Sequence, residues 1–416
     1  MRGMLIAACF GSLLAVPLRA GAAAPLPPPD AALAAIDERP AVREALAMRS
    51  AARAQAESLR VGPHEFTLGG AYGQRDVDGD GDYNEWEATI TRGLRWPGKA
   101  SLDRDLGGVL TEAAENSLAD ARHAEARTLL SGWFGWLKAE ARASSDRELA
   151  QALERAAGAV RGQLKQGDAS QMQLELAEAE AGRAAAAAGR SAMAARQLRH
   201  ALQIAYPALT APEQPPEIPE PVPPARPLDE WPAVILERSH ELRLAELARS
   251  QAQLQARRMS KDRWPDPMVG VRMLDEFDGA EKSLGVVVAV PLPGRYRAAL
   301  AGQRHDEAVA AAARTEMVQR EVVAIAAQDV AEAQSALSAW QPLQAAAEQA
   351  ARYLQRAQRA YELGETGLAE LLMSVSSCAE TLYEERLARL DAHEALARLS
   401  VDAHELWAPA REDHDH

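Results

Sequence analysis

The chain has 416 residues, of which 47% are hydrophobic but only 5% aromatic, and a formal net charge of −14. That acidic balance speaks against a general nucleic-acid binder. After residue 24 there is no run of 18 apolar residues, which excludes a membrane-spanning helix there and leaves a β-barrel as the way to cross a bilayer.

The N-terminus reads as an export signal. Arg2 and the α-amine supply positive charge, Met4 to Val16 an apolar stretch, and Ala20-Gly21-Ala22 or Ala22-Ala23-Ala24 a cleavage site. Residues 1–24 are expected to be removed. Cys9 comes too early in this stretch to be a lipid-attachment cysteine. Cys378 is then the one thiol left, so no internal disulfide is expected. It lies on the stripe Leu368, Leu371, Val375, Cys378, Leu382 and is expected in a core. Abundant Ala and Leu favour long helices.

The rest reads as one unit written twice. Pro40-Ala41-Val42-Arg43 aligns with His240-Glu241-Leu242-Arg243, and Gly70 with Gly270. Trp96-Pro97-Gly98-Lys99 aligns with Leu292-Pro293-Gly294-Arg295, and Gly167-Asp168-Ala169 with Gly364-Glu365-Thr366. The copies are predicted over 25–206 and 233–407. A proline-rich, non-helical linker over 207–232 joins them, and a polar tail follows over 408–416.

In the first copy a helix is predicted over 31–61, then a strand pair over 65–74 and 85–96. A long helix follows over 99–165, then a Gly-centred turn and a returning helix over 170–204. The second copy repeats this as 232–262, 267–274 with 283–291, 296–363 and 367–407. Sixty-five helical residues span roughly 100 Å. The stripe Val323, Ala326, Val330, Ala333, Leu337, Trp340 has the 3,4 spacing of a coiled-coil seam. It resumes at Leu343, Ala347, Ala350, Leu354, Ala357, Tyr361 after a three-residue slip beside Pro342, where a kink is expected.

The strands alternate. Trp86, Ala88, Ile90, Leu94 and Trp96 share one face, interrupted by Arg92, and Glu87, Thr89, Thr91, Gly93 and Arg95 share the other. Phe66, Leu68, Gly70 and Tyr72, and Leu284, Val286, Val288 and Val290, alternate likewise. Ten such residues cover roughly 25 Å when tilted, which suits a barrel wall with Trp86 and Trp96 in its two interfacial girdles. Alone, this alternation favours a soluble half-buried sheet, and it is the context that reverses the reading. Four strands cannot close a membrane barrel, which starts near eight strands; three chains would supply twelve.

Asp76, Asp78, Asp80, Asp82 and Glu87 fit the spacing of a calcium loop, with Gly81 at its sixth position. The flanks alternate like strands, so an acidic, Gly-rich hairpin turn at the cell surface is the expected reading, with a surface calcium site as the alternative. His414 and His416 in the tail are further candidate metal ligands. There is no nucleophile–base motif, P-loop or zinc signature, and neither an enzyme nor a cofactor is expected.

Taken together, these residues resemble the TolC-like outer-membrane efflux family over nearly the whole mature chain. The resemblance rests on the duplicated plan, on Val290-Pro291-Leu292-Pro293-Gly294-Arg295, and on the segment from Tyr361 to Leu372. The Gly-Glu-x-Gly-Leu-x-Glu-Leu-Leu form within that segment resembles the heavy-metal (CzcC/CusC-like) branch. The resemblance implies a mainly α chain with a small β part. Long-helix coiled-coil hairpins would be duplicated, and four strands would be given to an intermolecular 12-stranded β-barrel.

It also implies a homotrimer in outer-membrane lipid of a Gram-negative bacterium, with a helical tunnel through the periplasm. The partners implied are a periplasmic adaptor and an inner-membrane RND-type pump. The turns at Gly167 and Asp168, and at Gly364, Glu365, Thr366 and Gly367, would meet the adaptor. Glu370 would be an aperture acid, with Glu175 and Glu178 as first-copy candidates; Met373 stands where the family often has Asp. Drug efflux and type I secretion use the same architecture. A periplasmic adaptor or coiled-coil scaffold without a pore is the alternative of another class.

Overall fold

A computed structural model describes residues 25–210 and 212–408. The expected signal segment, Cys9, His414 and His416 lie outside the described residues.

The first copy consists of α1 (Pro29–Asp37), α2 (Pro40–Val61), β1 (Phe66–Val77), β2 (Gly81–Gly93), α3 (Lys99–Gln166) and α4 (Gln171–Ala205). The second consists of α5 (Trp231–Arg238), α6 (His240–Asp262), β3 (Met268–Glu276), β4 (Glu281–Ala289), α7 (Arg295–Glu362) and α8 (Leu368–Asp402). Duplication extends to element length. α3 and α7 each have 68 residues, and α4 and α8 each have 35. Each predicted first helix is instead two. Pro40 opens α2, and a residue before proline disfavours helical geometry, so the chain breaks at Glu38 and Arg39. The second copy has no proline there, yet Ser239 is extended (ψ 119°) and separates α5 from α6. α8 stops at Asp402, five residues short of expectation; beyond it His404 and Trp407 adopt positive φ.

The chain divides into two compact units. One comprises the residues up to Val42, Arg122–Ser239 and the residues from Val323 onward; the other comprises Arg43–Ala121 and His240–Val322.

The first unit is helical and packs on small residues. Ala152, Ala156 and Ala157 of α3 meet Ala177, Ala181 and Ala184 of α4, together with Leu354 of α7 and Leu371, Val375 and Cys378 of α8. Alanine pays little entropy to enter a helix and lets backbones approach. Cys378 is a core residue, as its stripe predicts. Half of the α7 seam is buried and nearly all the rest half-buried, but Val323 is exposed and its neighbour Val322 takes the inward position. α7 is helical through Pro342. The 207–230 segment lies partly on α8, where Arg389 and His393 reach Ile218 O (3.1 Å) and Pro219 O (2.9 Å).

The second unit holds one antiparallel sheet of order β1-β2-β3-β4. The expected match of Gly70 with Gly270 does not hold: Gly70 pairs with Ala88 and Gly270 with Thr91, on opposite faces, and Gly270 has its own packing reason, since a Cβ there would lie 2.3 Å from Ile90 O. Among the described residues, no helix is long and apolar enough to cross a membrane.

Candidate sheet surface and helix-hairpin turns

In the sheet, ladder register places every apolar alternation on one side. Leu68 faces Ile90, Ile90 faces Val271, and Val271 faces Val286. Tyr72, Trp86, Met273 and Leu284 belong to the same face, and all are substantially exposed. Thr89, Thr91, Glu87, Arg272 and Ser283 belong to the other. Side chains in a strand alternate between faces, so a band this broad requires matched register across all four strands. Arg92 does not break the apolar face. Its guanidinium lies over the Phe66 ring (4.9 Å), and its Nε donates to His64 O (3.0 Å).

Trp86 sits within β2 on the apolar face. Trp96 does not sit on the strand, because β2 ends at Gly93; its backbone N–H instead donates to Asp266 Oδ1 (2.9 Å). The ladder slides toward the acidic turn compared with the predicted spans. β1 and β2 pair out to Val77 and Gly81, leaving Asp78-Gly79-Asp80 as the loop, with Gly79 and Gly81 at positive φ.

That pairing takes apart the calcium-loop candidates. Asp76 and Asp82 face each other across the ladder, whereas Glu87 points to the opposite face. Among the described residues, no three His, Cys, Asp or Glu side chains stand together as ligands of one ion would. The segment is a hairpin turn, tied to the neighbouring β3–β4 turn. Asn84 donates to Asp278 through both its backbone and its side chain (2.9 and 3.0 Å), and Tyr83 packs edge-on against Phe277.

Just beyond the strands lies a buried charge network that the sequence reading missed. Lys99 has no solvent exposure. Its Nζ is 2.6 Å from Asp262 and 2.7 Å from Asp266, and it donates to Trp264 O (2.8 Å). Asp266 also receives His64 Nε2 at 2.8 Å. Its hydrogen bonds from Lys99, the Trp96 N–H and His64 outweigh burial and hold its carboxyl down at about 2. Arg258 joins Asp262 to Asp103, and Arg95 adds a second contact to Asp103 (3.0 Å). The available signal was the position of Lys99, in the repeat landmark directly after a barrel-like strand.

In the helical unit the two hairpin turns share one geometry. Gly167 and Gly364 adopt φ of +83° and +75°. At the first, Gly167 N–H reaches Leu164 O (3.1 Å) and Asp168 N–H reaches Gln163 O (2.9 Å). At the second, Gly364 N–H reaches Tyr361 O (3.0 Å) and Glu365 N–H reaches Ala360 O (2.9 Å). Both are Schellman stops, which need a left-handed residue that only glycine supplies without strain. The turns restart differently. Ser170 and Gln173 form a reciprocal capping box before α4, whereas Gly367 before α8 has no side-chain cap. Tyr361 Oη comes within 3.4 Å of Gln163 Oε1, which joins the two hairpins near their turns. Replacing Gly364 with Ala is expected to cost about 1 kcal/mol, since left-handed geometry carries about that penalty for a residue with a Cβ. Faster amide exchange confined to residues around 360–370 would report it.

Asp168, Glu365, Gly367 and Glu370 are exposed, and Thr366 is half-buried. Glu175 is exposed and accepts from Gln171 Nε2 (3.1 Å). Glu178 is not a free acid: Arg161 of α3 holds it at 2.6 Å. Nearby Met172 and Met373 are exposed.

The same unit buries a second polar cluster. Asp402 and Asp329 are both buried, with Arg127 Nε and His123 Nε2 each 3.4 Å from Asp402 Oδ1. Arg398 is 4.0 Å from Asp329 and 3.0 Å from Glu332, and the His404 ring packs on His123. Burial, reinforced by neighbouring Asp329, pushes the Asp402 carboxyl up to about 8.

No protein-family model matches the chain. No curated protein matches it either. Solved structures do. A membrane protein from Pseudomonas aeruginosa superposes with a TM-score of 0.75 at 19% identity, over 93% of this chain and 92% of that one. The outer-membrane channel OprN gives 0.70 at 15%, over 92% and 91%. CusC, whose structures concern folding and transmembrane channel formation, gives 0.67 at 16%, over 95% and 99%. Along almost its full length, the chain is similar in fold to outer-membrane channel subunits.

Proposed function

We propose that the chain is one subunit of an outer-membrane efflux channel, a passive conduit with no chemistry of its own. The observation that carries this reading is the four-stranded sheet. Among the described residues, one side is a broad band of exposed apolar side chains, bounded toward the turns by Asp275 and Lys282 in the row of Tyr72 and Trp86, and both edge strands are unpaired. A soluble sheet covers such a face; a barrel wall turns it to lipid. Likeness in fold to OprN and CusC supports the same reading. The apolar face would meet outer-membrane lipid, and the face with Thr89, Glu87 and Arg272 would line the pore.

Four strands per chain and a twelve-stranded wall make the assembly a homotrimer. The helical unit would form the periplasmic tunnel. Its glycine turns, from Gly167 to Asp168 and from Gly364 to Gly367, would dock a periplasmic adaptor coupled to an inner-membrane pump of the RND type. Glu370 and Glu175 would bias which ions linger at the aperture. Glu178 would do so less, because Arg161 neutralises it.

For the cargo we propose heavy-metal cations, on the motif from Gly364 to Leu372. Deleting the chain in its own host should raise sensitivity to divalent transition metals and leave drug sensitivity unchanged. Drug hypersensitivity with unchanged metal tolerance would replace this cargo with the drug-efflux one. Loss of a secreted protein would point to type I secretion.

A further inference from the structure

The duplication makes the sheet a template for its own assembly. β1–β2 places Leu68 opposite Ile90, and β3–β4 places Val271 opposite Val286. Aligning Trp96-Pro97-Gly98 with Leu292-Pro293-Gly294 makes Ile90 and Val286 equivalent positions in the two copies, and their ladder partners Leu68 and Val271 follow, with Met273 and not Gly270 as the counterpart of Gly70. On its other side Ile90 faces Val271, across the one joint in the sheet that links copy to copy, β2–β3. From this we infer that β4 pairs antiparallel with β1 of the next chain in the register of β2–β3, with Val286 opposite Leu68 of that chain. This rests on the channel reading and adds the residue-level joint. The same register puts Val288 opposite Phe66 and Leu284 opposite Gly70 of the next chain.

Exposure supports the pairing of these two edges. On the apolar face, Leu68 and Tyr72 of β1 and Leu284 and Val286 of β4 are 73–80% exposed. Trp86 and Ile90 of β2 and Val271 and Met273 of β3 face the same way but have a strand on each side, and they are 40–46% exposed. The excess at the edges is the lateral surface that a neighbouring strand covers. Unpaired edge N–H and C=O groups also have no partner within a lipid bilayer, so both edges must be matched there. Register slips of one residue are excluded, since they would turn the apolar set of one strand to the other face. The alternatives are slips of two, which bring Val286 opposite Phe66 or Gly70.

Directly opposed residues of an antiparallel pair have Cβ atoms about 4.5–5.5 Å apart, which a disulfide can span with small adjustment. The test uses three double variants of the full chain, oxidised in membranes: L68C/V286C, F66C/V286C and G70C/V286C. V286C alone checks that buried Cys378 takes no part. Covalent oligomers are expected from L68C/V286C, at least ten-fold more than from either other pair. A higher yield from a shifted pair would overturn the register and leave the channel reading standing. No cross-link in any pair, with oligomers still seen by native mass spectrometry, would overturn edge pairing. A monomer by native mass spectrometry would overturn both this inference and the channel reading beneath it.

Discussion

Replacing Lys99 with Met is expected to destabilise the sheet-bearing unit by about 3–5 kcal/mol, the range for removing one partner of a buried ion pair. The ammonium has no solvent exposure and three partners: Asp262, Asp266 and Trp264 O. Without it, Asp266 keeps only His64 and the Trp96 N–H, and Asp262 keeps Arg258. Asp266→Asn added to Lys99→Met should recover part of the loss, because the amide carries no charge to strand and its oxygen can still accept from Trp96. The two costs should therefore be clearly non-additive in thermal melts of the detergent-solubilised protein. Additive losses would mean that the pair is not coupled. The depressed Asp266 carboxyl fixes the pH window. Its stabilisation is complete above the unfolded value near 4 and is lost as pH falls through about 2. Strong acid, not mild acid, should loosen this end of the sheet.

Asp402→Asn is expected to act in the opposite sense, raising stability at pH 8 by a few kcal/mol. The carboxyl is buried among His123, Arg127, Asp329, Arg398 and His404 and stays protonated up to about 8. In the unfolded chain it ionises near 4. Between these values the folded chain holds a proton that the unfolded chain has lost. Stability from this group is thus full below about pH 4 and falls as pH rises toward 8. The wild-type melting temperature should decline from pH 5 to pH 8 through this group, and the Asn variant, neutral throughout, should lack that component. At roughly 1.4 kcal/mol per pH unit of differential titration, the difference is large enough to read directly by circular dichroism. Identical pH profiles for the two proteins would refute the assignment.

Much of this fold is legible in the sequence because it is periodic and repeated. Apolar alternation in the strands, the 3,4 spacing in α7 and the matched turn glycines Gly167 and Gly364 each report a local rule. Errors fall where a partner outside the local window decides. Strand ends moved because ladder pairing carries Asp76 and Asp82 past the point where composition suggests a turn. Trp96 left the strand because Asp266, 170 residues away, takes its N–H. Val322 replaced Val323 in the core because an alanine-rich helix gives weak phase information. The Asp-rich loop matched a calcium pattern by spacing alone, and the period-two strand geometry then separated its ligands. Lys99 and the Asp402–Asp329 pair were invisible for the same reason: each charge network joins three or more elements distant in sequence. The hairpin turns were readable because their chemistry is local, a glycine with the four residues before it and the one after.

Whether the chain forms a pore is most directly decided by single-channel recording of the purified protein in planar lipid bilayers. Oligomers should insert and give discrete conductance steps. The L68C/V286C variant, oxidised into its covalent form, should insert and conduct as well. Purified protein that remains monomeric and leaves the bilayer silent would contradict the account, and would return the chain to the scaffold or adaptor class.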